Sequence, residues 1–118
     1  MYKANAVGSY VLGLQLGNTA VVAVPEATYK PYWKVHGLNV VVVAGITGDT
    51  DIWLNGFKIV SADNSAWSAA NPTEINLGAN YGAGSFFDGE IYHFSTHDYK
   101  MTPIQMRQIT QQLLTKYS

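Results

Sequence analysis

The chain has no cysteine, which removes disulfides, a thiol nucleophile and cysteine-ligated zinc from consideration. Charge is scarce as well. Asp, Glu, Lys and Arg make up 13% of the 118 residues, about half the usual share. The seven Lys and Arg residues are scattered singly and the net charge is −1. The sequence therefore carries neither the basic footprint of a nucleic-acid binder nor a polybasic patch for a membrane surface. Its longest uninterrupted apolar run, Val40 to Ala44, is far too short to cross a bilayer. There is no Asn-x-Ser/Thr sequon, so nothing points to eukaryotic secretion. Lys3 followed by Val7 to Leu16 has the outline of a signal peptide, but Asn5, Ser9 and Gln15 interrupt it and the stretch reads as structure.

What is present is β-forming sequence punctuated by turn residues. An apolar fraction of 47% over 118 residues suits one domain, residues 1–118, with a modest core. Tyr10 to Leu16 and Ala20 to Val24 are β-rich runs separated by Gly17-Asn18, and they predict a hairpin closed by Pro25. Pro31 within the cluster Tyr29, Tyr32 and Trp33 marks a loop or an edge strand. Leu38 to Ile46 is a valine-rich run without alternation, which predicts a central strand covered on both faces. Thr47 to Thr50 turns the chain into Asp51 to Leu54, and Asn55-Gly56, a type I′ pair, turns it back into Phe57 to Val60. Ser61 to Pro72 and Gly78 to Ser85 read as surface loops around the strand Thr73 to Leu77. A last strand, Phe86 to Tyr99, runs into a helix from Thr102 to Tyr117. That helix has Thr102 as N-cap, Pro103 at the first position and Gln105 closing a capping box. Met106, Ile109, Leu113 and Tyr117 share its apolar face, which should pack on a sheet or on a neighbouring subunit.

The stretch Phe87-Asp88-Gly89-Glu90-Ile91-Tyr92-His93-Phe94, followed by Met101-Thr102-Pro103-Ile104-Gln105-Met106, resembles the closing signature of laminin G-like domains. These belong to the concanavalin A-like lectin/glucanase superfamily. Val40 to Ile46, Ile52-Trp53-Leu54-Asn55-Gly56 and Ile75-Asn76-Leu77-Gly78 fit the same template in the same order, so the resemblance covers residues 10 to 117. It implies an all-β fold: an antiparallel β-sandwich of concanavalin A-like jelly-roll type with one short C-terminal α-helix. Family domains carry further strands before the point where this chain begins, so the expectation is a sandwich abbreviated at the N-terminus or completed by another chain. Either arrangement leaves a sheet edge open to pairing.

Enzymes of the superfamily place two carboxylates on one strand in a Glu-x-Asp-x-x-Glu pattern, and retaining glycoside chemistry needs them about 5 Å apart. Here only Asp49/Asp51 and Asp88/Glu90 share a strand face, and neither matches. Turn-forming and solvated-face roles explain both pairs. There is no Gly-x-Ser-x-Gly elbow to activate a serine. His93 and His97, four apart on a strand, would sit roughly 13 Å from each other, too far to share a metal. Several laminin G-like and lectin relatives bind calcium at the loop rim, for which Asp63, Asn64 and Asn71 are the candidates here, but the expectation is no cofactor, with these residues as solvated loop polar groups. One carboxylate is thin against the six to eight oxygens calcium takes.

The aromatics in loops are the candidate binding residues. Trp67, Tyr81, Trp33 and Tyr32 occur among Gly, Ala, Ser and Asn, where sugar rings could stack on them while Asn64, Asn71 and Asn80 bond hydroxyls. Alternatively the same rings plug the end of the sandwich or form subunit contacts. Trp53, inside a strand, reads as packing. The chain is expected to be a non-catalytic carbohydrate-binding or adhesion module. The alternative is a structural assembly subunit, such as a phage capsid-decoration or tail-associated virion protein. Its expected partners are a glycan or other protein chains, in a homo-oligomer or as part of a larger assembly, at an extracellular or virion surface. Low charge and an open edge favour the alternative, loop aromatics the first reading.

Overall fold

A computed structural model describes residues 10–16, 20–65 and 89–118. The first hairpin pairs β1 (Tyr10–Leu16) with β2 (Ala20–Pro25) antiparallel, Leu16 facing Ala20 and Leu12 facing Val24. The Gly17-Asn18 turn lies outside the described residues. After Pro25 the chain forms a single helical turn, α1 (Glu26–Tyr29), where the sequence predicted a loop or edge strand. Pro31 has no N–H to continue the helix and disfavours helical backbone at the residue before it, so the segment stops after one turn. Tyr29 is buried and anchors it: its carbonyl accepts from the N–H groups of Tyr32 and Trp33 at 2.9 and 3.1 Å.

A second antiparallel sheet contains β3 (Val41–Ile46), β4 (Asp49–Leu54) and β5 (Phe57–Asp63) in that order. The valine run is therefore an edge of this sheet among the described residues, and β4 is the middle strand. The reason is visible in the burial: Thr50 to Leu54 are all buried, whereas Val43 and Ile46 of β3 are exposed. Hydrophobicity marked β3 as covered on both faces, but only Ala44 is buried and Val43 beside it is exposed, so one face of the strand is left partly open. Asn55 and Gly56 both take positive φ, 52° and 87°, as the predicted type I′ turn requires.

Alternation along β4 splits the core in two. Ile52 and Leu54 face Val24 and Tyr29, with Trp33, Val41, Ile59 and Val60 packed around them. Trp53 faces the other way and joins Ala44, Met101 and Met106, flanked by Val42 and Ile109. This second cluster is the floor for α2 (Pro103–Tyr117), whose capping box is formed as predicted. The Thr102 side chain accepts from Gln105 N–H, and the Gln105 side chain accepts from Thr102 N–H at 2.9 Å. Met106 and Thr110 are its buried residues, and Ile109, Leu113, Leu114 and Tyr117 are half-buried on the same side. The apolar face of α2 therefore packs on the sheet of its own chain.

The described arrangement is strand-rich, with a three-stranded antiparallel sheet, a separate hairpin and one C-terminal helix. Of Phe86 to Tyr99, predicted as the last strand, residues 90–97 run without turn or bend and join no ladder among the described residues. Every side chain from Gly89 to Lys100 is exposed. Thr73 to Leu77 lies outside the described residues. No described helix is long and apolar enough to cross a membrane.

Candidate functional site

The β4–β5 turn does more than reverse the chain. Asn55 Oδ1 accepts from Val40 N–H at 2.8 Å, and its Nδ2 donates to Tyr32 O at 2.8 Å and to Asn39 Oδ1 at 2.9 Å. Asn39 is used to capacity: Oδ1 also accepts from Lys34 N–H at 2.8 Å, and Nδ2 donates to the carbonyls of Lys34 and Gly37. Two amides thus pin the irregular segment 32–40 against the turn. The consequence is an aromatic platform. Tyr32 and Phe57 stack with ring centroids 4.6 Å apart and planes 23° from parallel, yet they remain 38% and 54% exposed. Each ring of the stacked pair covers one face of the other, so what the amide network holds in water is an outer ring face and the ring edges, and a flat C–H face can lie on one ring at a time.

The predicted site residues fall apart differently. Trp33 is half-buried, edge-to-face on Tyr29 at 6.3 Å, and belongs to the core layer. Asn64 is exposed. Asp63 Oδ1 accepts from Ser65 N–H at 2.9 Å in an Asx turn. No ring contact or hydrogen bond joins these three. Trp67, Asn71, Asn80 and Tyr81 lie outside the described residues. Among the described residues no three Asp, Glu, His or Cys side chains converge as a metal would need. Of the rings now on the platform, sequence singled out Tyr32 as a loop aromatic but missed Phe57. The Asn-Gly turn immediately before Phe57 was the available signal, because it places that ring at the sheet end.

The Asp49/Asp51 pair is occupied by lysines. Lys100 Nζ lies 3.0 Å from Asp49 Oδ2 and 3.6 Å from Asp51 Oδ2, and Lys58 Nζ lies 3.8 Å from Asp51. The hydrogen bond to Asp49 raises the Lys100 pKa above its ordinary value; partial desolvation opposes the shift and the charge of Asp51 adds to it. Asp51 also accepts from Ala62 N–H at 2.8 Å, where β5 bulges and Ala62 adopts φ 50°. Trp53 next to it is buried, with Lys58 Nζ and Arg107 Cζ 5.4 and 5.7 Å from its ring centroid. Lysines and a backbone N–H thus line both aspartates.

A second aromatic cluster forms where the exposed segment meets the end of α2. Tyr92 stacks on Tyr117 at 6.0 Å and hydrogen-bonds Glu90, which raises the Tyr92 pKa. His93 Nε2 is 3.2 Å from Ser95 Oγ, and its Nδ1 is 3.5 Å from Tyr117 Oη. The His93 and Ser95 side chains, two residues apart in sequence, are thus adjacent in space. All three members are open to solvent or nearly so, and the third is a tyrosine where a hydrolase would need a carboxylate.

No protein-family model, curated protein or solved structure matches this chain. The reading of function therefore rests on the residues themselves.

Proposed function

We propose that the chain is a non-catalytic carbohydrate-binding or adhesion module of lectin-like, concanavalin A-like fold, with Tyr32 and Phe57 as its stacking surface. The observation that carries this is the exposed, parallel ring pair fixed by Asn39 and Asn55. Rings that only served the core would be covered, and these are not. A non-catalytic role is supported by the state of the described carboxylates: Asp49 and Asp51 are held by lysines, and Glu90 by Tyr92.

The test is retention on a glycan array and on immobilised polysaccharides, with Tyr32→Ala and Phe57→Ala beside the parent chain. Each variant is expected to lose about tenfold in affinity, about 1.4 kcal/mol, with an unchanged unfolding temperature. Absence of any glycan binding by the parent chain, or equal binding by both variants, overturns the reading.

A second reading, a structural assembly subunit such as a virion surface component, is favoured by a different observation. Ile91, Tyr92, Phe94, Tyr99 and Ile104 are 52, 58, 51, 53 and 65% exposed. Exposed apolar residues gathered along one stretch mark interaction surfaces. Light scattering on the eluting chain distinguishes the two: a defined oligomer that Phe94→Asp dissociates supports assembly, and a monomer at all concentrations removes it.

A further inference from the structure

We propose that Arg107, Lys58 and the indole N–H of Trp53 form a binding site for a carboxylate, separate from the Tyr32–Phe57 platform. Trp53 is 4% exposed, and its Nε1 is buried with no hydrogen-bond partner. An indole can only donate, so this N–H has given up water without gaining an acceptor, which costs stability. Buried polar groups are nearly always paired, and an exception in a native fold calls for a cause. Two bases stand over the indole that carries this donor: Lys58 Nζ is 5.4 Å and Arg107 Cζ 5.7 Å from the ring centroid. Lys58 follows Phe57 in β5, and successive strand residues face opposite sides, so the site lies on the other face of the sheet from the platform.

The charges on this face do not balance. Asp49 and Asp51 alternate with Trp53 along β4 and share its side; Lys100 bridges both at 3.0 and 3.6 Å, and Lys58 lies 3.8 Å from Asp51. Asp51 is used further by Ala62 N–H, which its Oδ1 accepts at 2.8 Å. Arg107, on α2, has no carboxylate partner among the described residues. Lys58, Lys100 and Arg107 thus meet only Asp49 and Asp51, which leaves one positive charge in excess beside one buried donor without an acceptor. A carboxylate matches both deficits. It brings a single negative charge and two oxygens in a plane, one for the guanidinium fork of Arg107 and one for the indole N–H. A phosphate dianion would overshoot the charge. Nε1 is closed to water at rest, but Arg107 and Lys58 are exposed and carried on long flexible stems. They can swing aside while Trp53 stays packed with Ala44, Met101 and Met106.

The experiment follows the indole N–H resonances of the full chain by proton–nitrogen NMR while acetate is added, with sodium chloride at equal ionic strength as the control. The chain has three tryptophans, and the Trp53 signal is the one missing from Trp53→Phe. If that variant does not fold, contacts from the indole to Met106 protons give the same assignment. Acetate is expected to move the Trp53 N–H signal downfield along a saturable curve, and chloride to leave it in place. Arg107→Gln should weaken acetate binding about tenfold or more, the loss of a charge-assisted hydrogen bond. Arg107→Lys, which keeps the charge without the fork, should fall between the two. A blocked Gly-Glu-Gly peptide then separates the sources: a shift like that of acetate assigns the site to a polypeptide carboxylate, and a shift with acetate alone to a free small acid. A signal that ignores acetate, follows chloride equally, or responds unchanged in Arg107→Gln overturns the inference. So does a signal that ignores every anion but shows contact with a bound water, which would then be the missing acceptor. None of these results bears on glycan binding at Tyr32 and Phe57.

Discussion

Replacing Asp51 by alanine probes a side-chain join between β4 and β5. The carboxylate accepts from Ala62 N–H at 2.8 Å at a bulge where the ordinary ladder is interrupted. Without it, that donor has no cross-strand acceptor. Loss of a hydrogen bond to a charged group costs about 1.5–3 kcal/mol. The contacts with Lys100 and Lys58, at 3.6 and 3.8 Å, add little because both lysine side chains are about a third exposed. The expected total is about 2–3 kcal/mol, or a fall of roughly 8–12 °C in Tm for a domain of this size. Asp51→Asn keeps an oxygen in place and should cost about 1 kcal/mol, the charge-assisted share. The assay is urea unfolding followed by circular dichroism, with thermal scans alongside and the m value required to stay constant. An Asp51→Ala variant within about 0.5 kcal/mol of the parent would refute the acceptor role. Equal losses for Asn and Ala would shift the explanation from the bulge to the ion pairs.

Ala62 itself sits at φ 50°, a region where a Cβ is strained. Ala62→Gly should gain about 0.5–1 kcal/mol in the same assay, the relief of that strain less the added chain entropy. At Gly45 the opposite holds: an added Cβ would meet Asp49 O at 2.5 Å and Thr50 Cα at 2.7 Å, both backbone atoms that cannot swing away. Gly45→Ala is therefore expected to cost about 1–3 kcal/mol, read as a lower urea midpoint. Thr102→Ala removes the N-cap of α2 and should lower stability by about 1 kcal/mol, with helical signal lost before the sheet. The raised Lys100 pKa sets an alkaline limit. A base held more strongly protonated in the folded state contributes stability below its ordinary value of 10.5, and that contribution is lost as pH rises through the folded value. Unfolding midpoints should fall above this pH, and Lys100→Arg, which stays charged, should flatten the fall.

Features decided within a few residues were legible from the sequence. The Asn55-Gly56 turn, the strands on either side of it and the Thr102-Pro103-Gln105 start of α2 follow from backbone preference and from side chains reaching their own neighbours. The apolar face of α2 follows from helical period. Tertiary structure decided the rest. That β4 and not the valine-rich β3 lies between two partners among the described residues depends on strand order, and hydrophobicity carries no information on order. That Asp51 serves a bulge rather than a turn depends on the register of β5 against β4. The platform is the clearest case: Asn55 reaches across 23 residues to Tyr32 and 16 to Asn39. Local sequence shows a turn residue and two unrelated aromatics; only folding brings them to one surface, because hydrogen bonds between distant segments set where rings meet.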